Sequence, residues 1–166
     1  MKIKKIQVFT YAELTDSAKE RARAKFLQND EYPWWKDAET SIRRFCDHFG
    51  VSKLDYSIGG YCPSYITAEA DNGHFRGRKL KDYKAMDHSD AYYCLEYEMW
   101  DSFVNLWEAT GSPLVAFNQA LDKACWSIQK DMEYHQSADY AEEMIEINDW
   151  EYTEDGDWFG YREAAA

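Results

Sequence analysis

The sequence predicts an α+β fold: a small antiparallel sheet of three to four strands packed with about five helices. Three observations lead to it. Apolar and polar residues alternate in several short runs, the period-two mark of half-buried strands. Longer runs repeat apolar residues every three to four positions behind a capping residue, the mark of amphipathic helices. The chain has 166 residues, 45% of them hydrophobic, with no internal repeat and no linker, which suits one domain with its own core. That domain is expected over residues 1–163, with Ala164-Ala165-Ala166 as an unstructured tail.

The elements follow in order. Lys4–Thr10 alternates, with Ile6 and Val8 on one face, and reads as a short strand. Thr15 is a candidate N-cap, and Ala18, Ala22 and Phe26 mark the inner stripe of a first helix. Pro33 suits the first turn of a second helix, which buries Trp35, Ala38, Ile42, Phe45, Cys46 and Phe49 and ends at Gly50. Val51–Ile58 and Tyr65–Asp71 alternate again, separated by a turn or bulged corner at Gly59-Gly60-Tyr61-Cys62-Pro63. Asn72-Gly73 signals a turn leading to a short strand at Phe75, and Lys79–Met86 one or two helical turns. Tyr92–Trp100 reads as a strand with Leu95, Tyr97 and Met99 inward and Glu96 and Glu98 outward. Asp101 would cap a short helix through Trp107. Ser112 and Pro113 open a long helix with Leu114, Phe117, Leu121, Ala124, Cys125, Ile128 and Met132 on its stripe. Ala138–Ile147 reads as a shorter helix, and Trp150–Tyr161 mixes acids with rings that suit a terminal hairpin.

Charge excludes several function classes. Residues 1–88 hold 16 Lys/Arg against 13 Asp/Glu, whereas residues 89–166 hold 3 against 18, so the halves carry +3 and −15 of a net −12. A general nucleic-acid binder would be basic, so direct binding to nucleic acid is not expected. The basic cluster Arg76, Arg78, Lys79, Lys81 and Lys84 is too short to change that. No apolar run reaches the length of a membrane span, and Met1–Lys5 lacks the core of a signal peptide. Cys46, Cys62, Cys94 and Cys125 read as reduced, buried thiols, and the expected setting is cytoplasmic.

The motifs of common chemistries are absent. Neither GxxxxGK[ST] nor GxGxxG occurs, and no CxxC or HxxxH offers zinc ligands, so no cofactor and no metal are expected. His48, His74, His88 and His135 stand near no nucleophile on a sharp glycine turn, so no catalytic residue is assigned. Asp155-Gly156-Asp157 lacks the rest of a calcium loop. A paired-carboxylate hydrolase is an alternative, but acids are too abundant for a pair to mark a site.

Tyr11-Ala12-Glu13-Leu14-Thr15-Asp16-Ser17-Ala18-Lys19-Glu20-Arg21-Ala22-Arg23, the pair Trp34-Trp35, and Tyr152-Thr153-Glu154-Asp155-Gly156 resemble an uncharacterised family of accessory proteins from phages and prophages. Tyr56–Glu69 is similar to that family's strand–glycine–strand segment, with Gly59–Pro63 in place of a more Gly/Asp-rich turn. The resemblance implies a small acidic protein of a mobile element. By analogy such proteins include anti-CRISPR and antirestriction inhibitors of host defence, several of which mimic the charge of DNA.

The expected function is therefore a non-enzymatic inhibitor of a host defence complex. It would act as a monomer or homodimer in the bacterial cytoplasm and block a basic nucleic-acid channel. The candidate partner-binding residues are Asp139, Glu142, Glu143, Glu146, Asp149, Trp150, Glu151, Glu154, Asp155, Asp157 and Trp158. Carboxylates along a helix face and the following loop approach the phosphate spacing of a duplex. The alternative of another class is an antitoxin or regulator that holds one protein partner through its aromatic residues.

Overall fold

The computed structural model describes residues 6–29, 32–59, 63–86, 91 and 94–161. In chain order the elements are β1 (Phe9–Thr10), α1 (Asp16–Asn29), α2 (Trp35–His48), β2 (Leu54–Ser57), β3 (Tyr65–Ala68), α3 (Leu80–Lys84), α4 (Cys94–Thr110), α5 (Pro113–His135), α6 (Ala138–Ile147), β4 (Trp150–Tyr152) and β5 (Trp158–Tyr161). The class is α+β. The expected corner at Gly60–Cys62, His88, the start of the strand at Tyr92 and the tail Ala164–Ala166 lie outside the described residues.

The chain forms two compact units. The first joins residues 1–32 to residues 133–166, and the second is the continuous stretch 33–132. Each holds one antiparallel sheet, β1-β4-β5 in the first and β2-β3 in the second.

The first unit is built on small residues. The Thr15 hydroxyl accepts from the Ala18 amide at 3.3 Å and so caps α1, as its position predicts. Ala18 and Ala22 then give α1 a flat inner stripe, buried with Tyr11, Leu14, Ile145 and Tyr152. Burying side chains such as Ile145 stabilises by roughly 1.5–3 kcal/mol each. Phe9, Phe26 and Trp150 close the edge of this core. The β4–β5 turn approaches α1 so closely that a Cβ at Gly156 would stand 2.2 Å from the Ala18 carbonyl oxygen. Only glycine fits there, and its φ of +82° is a left-handed value that glycine adopts without strain.

The second unit is built on rings. Phe45 stacks on Phe117 with centroids 5.3 Å apart, and Phe49 packs on Phe103 at 5.0 Å and on Phe117 at 5.4 Å. Gly50 follows α2 in the left-handed conformation at φ +75°, the stop its position predicts. The Ser112 hydroxyl accepts from the Val115 amide and opens α5.

Three expectations fail here. The strand over Tyr92–Trp100 is instead the start of α4. Leu95, Met99, Phe103 and Trp107 are four apart and fit either period, but Trp100, buried beside Met99, fits only the helical one. The helical phase inverts two side chains: Glu96 is buried against Arg44 at 2.9 Å, whereas Tyr97 is exposed. Asp101 lies inside α4, accepting from Asn105 at 3.0 Å, and is no cap. Phe75 sits in no strand: it is buried in a run of turns, where packing on Phe49 and Phe117 fixes it.

Candidate partner-binding surface

Every candidate residue falls in the first unit, on α6, β4, β5 and the turns between them. Ser137 starts α6 by accepting from the Tyr140 amide. Asp139, Glu143 and Glu146, spaced four and three apart, then share one exposed side of the helix. Such like-charged neighbours repel by a few tenths of a kcal/mol each. Glu143 also accepts from the Tyr134 hydroxyl at 2.6 Å.

The end of α6 accumulates more negative charge. Its last turn holds Glu146 and no base, although the helix dipole favours a cation there. Asp149 follows at φ +49°, the one non-glycine residue with positive φ among those described. In β4, Trp150 and Tyr152 point to one face and Glu151 to the other. Glu154 and Asp155 are exposed in the turn.

Not all the acids face outward unaccompanied. Arg21 and Lys25 are one turn apart on α1, so both reach the hairpin: Arg21 pairs with Asp155 at 3.6 Å and Lys25 with Asp157. Arg23, on the other side of the helix, pairs with Glu142 at 2.9 Å and donates to the Tyr11 hydroxyl. The hydrogen bond from Lys25 holds the Asp157 carboxyl below its ordinary value. Asp139, Glu143, Glu146, Asp149, Glu151 and Glu154 make no ion pair among the described residues. The candidate set thus splits into six outward carboxylates and three that knit the unit together.

No known protein family, curated protein or solved structure matches this chain.

The sequence did not reveal that Arg21, Arg23 and Lys25 of α1 pair with these acids. Their partners lie more than a hundred residues away, and the available signal was the one-turn spacing of Arg21 and Lys25. It also did not find a cleft of about 500 Å³ between α1 and the hairpin, lined by Phe26, Trp150, Tyr152 and Trp158 with Lys25 and Asp157. Trp158 is 56% exposed and Phe159 50%. In the second unit, Tyr97 and Trp126 stand exposed at a smaller groove between α4 and α5.

The remaining candidates are placed as follows. Among the described residues no group of three or more His, Cys, Asp or Glu side chains is arranged to hold a metal ion. No described helix is long and apolar enough to cross a membrane. Cys46, Cys94 and Cys125 are free, and Cys62 lies outside the described residues. Cys46 and Cys125 are buried, and burial pushes the Cys46 thiol up to about 12. Cys94 is exposed, contrary to expectation, because it stands at the first position of a helix instead of inside a strand. Within the basic cluster, Arg78 is consumed by the Tyr83 hydroxyl and the His48 carbonyl, and Lys84 by Glu108.

Proposed function

We propose that this chain is a non-enzymatic acidic inhibitor whose first unit occupies the basic nucleic-acid-binding surface of a partner protein. Given the resemblance of Tyr11–Arg23 and Tyr152–Gly156 to phage and prophage proteins, that partner is a host defence complex in the bacterial cytoplasm. The observation that carries the reading is the set of six outward carboxylates on α6 and the hairpin. The first unit holds 8 Lys/Arg against 16 Asp/Glu, a balance of −8, and Arg21, Arg23 and Lys25 go to Asp155, Glu142 and Asp157. Charge stacked on the negative end of a helix lowers stability, so its presence favours a role outside folding.

The test has two arms. The protein alone gives no mobility shift of duplex DNA or RNA at about 150 mM salt, where charges are screened beyond roughly 8 Å. Added to a partner captured from bacterial lysate, it abolishes that partner's DNA binding. A direct micromolar shift, or a captured partner that keeps its DNA, overturns the reading.

A further inference from the structure

We propose that the cleft between α1 and the β4–β5 hairpin is a pocket for an arginine side chain of the partner. The inference rests on the reading above and names the group that the first unit selects. The cleft, about 500 Å³, lies within the size range of small-group pockets. Its walls are rings: Phe26 and Trp150 lie 5.7 Å apart, and Trp150 and Trp158 meet edge to face at 6.5 Å. Indole faces attract cations, and a planar guanidinium both stacks on them and forks onto a carboxylate. Asp157 lines the same cleft and supplies that carboxylate.

Lys25 already pairs with Asp157 there, so the sign of the preferred guest needs deciding. Both partners of that pair are about half exposed, and such pairs contribute little. Exchanging one cation for another on Asp157 is therefore nearly neutral, and the stacking on Trp150 and Trp158 is the gain. The unit's balance of −8 repels an anionic guest and attracts a cationic one. Lysine, a compact and strongly hydrated charge, gains less from the same walls.

The experiment compares hexa-arginine and hexa-lysine peptides on the full chain at about 150 mM salt, by calorimetry and by the indole signals in NMR. The expected result is about tenfold tighter binding of hexa-arginine, with the Trp150 and Trp158 signals shifted. Trp158→Ala brings the two affinities together, Trp126→Ala leaves the preference intact, and Lys25→Met raises the hexa-arginine affinity. Equal affinities with unshifted indoles overturn the pocket and leave the acidic surface standing. A preference that survives in a folded Trp158→Ala protein also overturns the pocket. Binding of neither peptide overturns both.

Discussion

Asp149 concentrates the electrostatic burden of the acidic surface in one residue. Its φ of +49° is left-handed, which disfavours a side chain by roughly 1–2 kcal/mol, less for Asp than for most. Its carboxylate also follows the negative end of α6. Asp149→Gly removes both penalties and is expected to raise stability by about 1 kcal/mol, read as a higher urea midpoint with an unchanged slope. Gly156 is the opposite case. Gly156→Ala sets a methyl 2.2 Å from the Ala18 oxygen at φ +82°, and a loss of about 2–4 kcal/mol is expected in the same assay. Tyr152 gives the unit an alkaline limit. Burial, reinforced by Tyr11, pushes its phenol from 10.0 up to about 12. The unfolded chain thus ionises first: the stability held below pH 10 is lost as pH climbs toward about 12. Tyr152→Phe should flatten that fall in pH-resolved urea titrations. At this scale the sequence showed the acids of α6 and the hairpin as one set. It did not separate the outward carboxylates from Glu142, Asp155 and Asp157, because ion-pair partners distant in sequence leave no local mark.

Among the elements, α1 decides which acids are structural. Its two sides present Arg23 to α6 and Arg21 with Lys25 to the hairpin. Reversing Glu142 would therefore set a lysine against Arg23 and damage the fold. Reversal of Glu143, Glu146 and Glu154 to Lys avoids these pairs. Thermal melts of that triple variant should stay within a few degrees of the parent, since exposed substitutions move stability by about 0.5 kcal/mol or less each. A collapse of the melt would show that the outward acids are structural after all. Helix starts and stops at Thr15, Gly50 and Ser112 were legible because capping is local chemistry. The start of α4 was not. Leu95-Glu96-Tyr97-Glu98-Met99 alternates like a strand, and only its ring contacts with α2, such as Phe45 on Trp100 at 4.8 Å, settle the helical phase. Phe75 was misread for the same reason: tertiary packing on Phe49 and Phe117, not strand pairing, holds it.

The whole molecule pairs a ring-packed unit with an acid-faced one. The second unit carries 11 Lys/Arg against 15 Asp/Glu, a balance of −4, half that of the first. The charge asymmetry was visible along the sequence, but its boundaries were not. The first unit joins both ends of the chain, so the basic α1 offsets part of the acidic C-terminal stretch. The central claim is that the outward carboxylates of this unit hold a basic, nucleic-acid-binding partner. The measurement that tests it most directly is capture from bacterial lysate with the parent and with the folded Glu143→Lys, Glu146→Lys, Glu154→Lys variant, each washed in steps of salt. The parent is expected to retain a nucleic-acid-binding complex that high salt releases and that the variant does not retain. Retention of the same proteins by both chains, unaffected by salt, would contradict it.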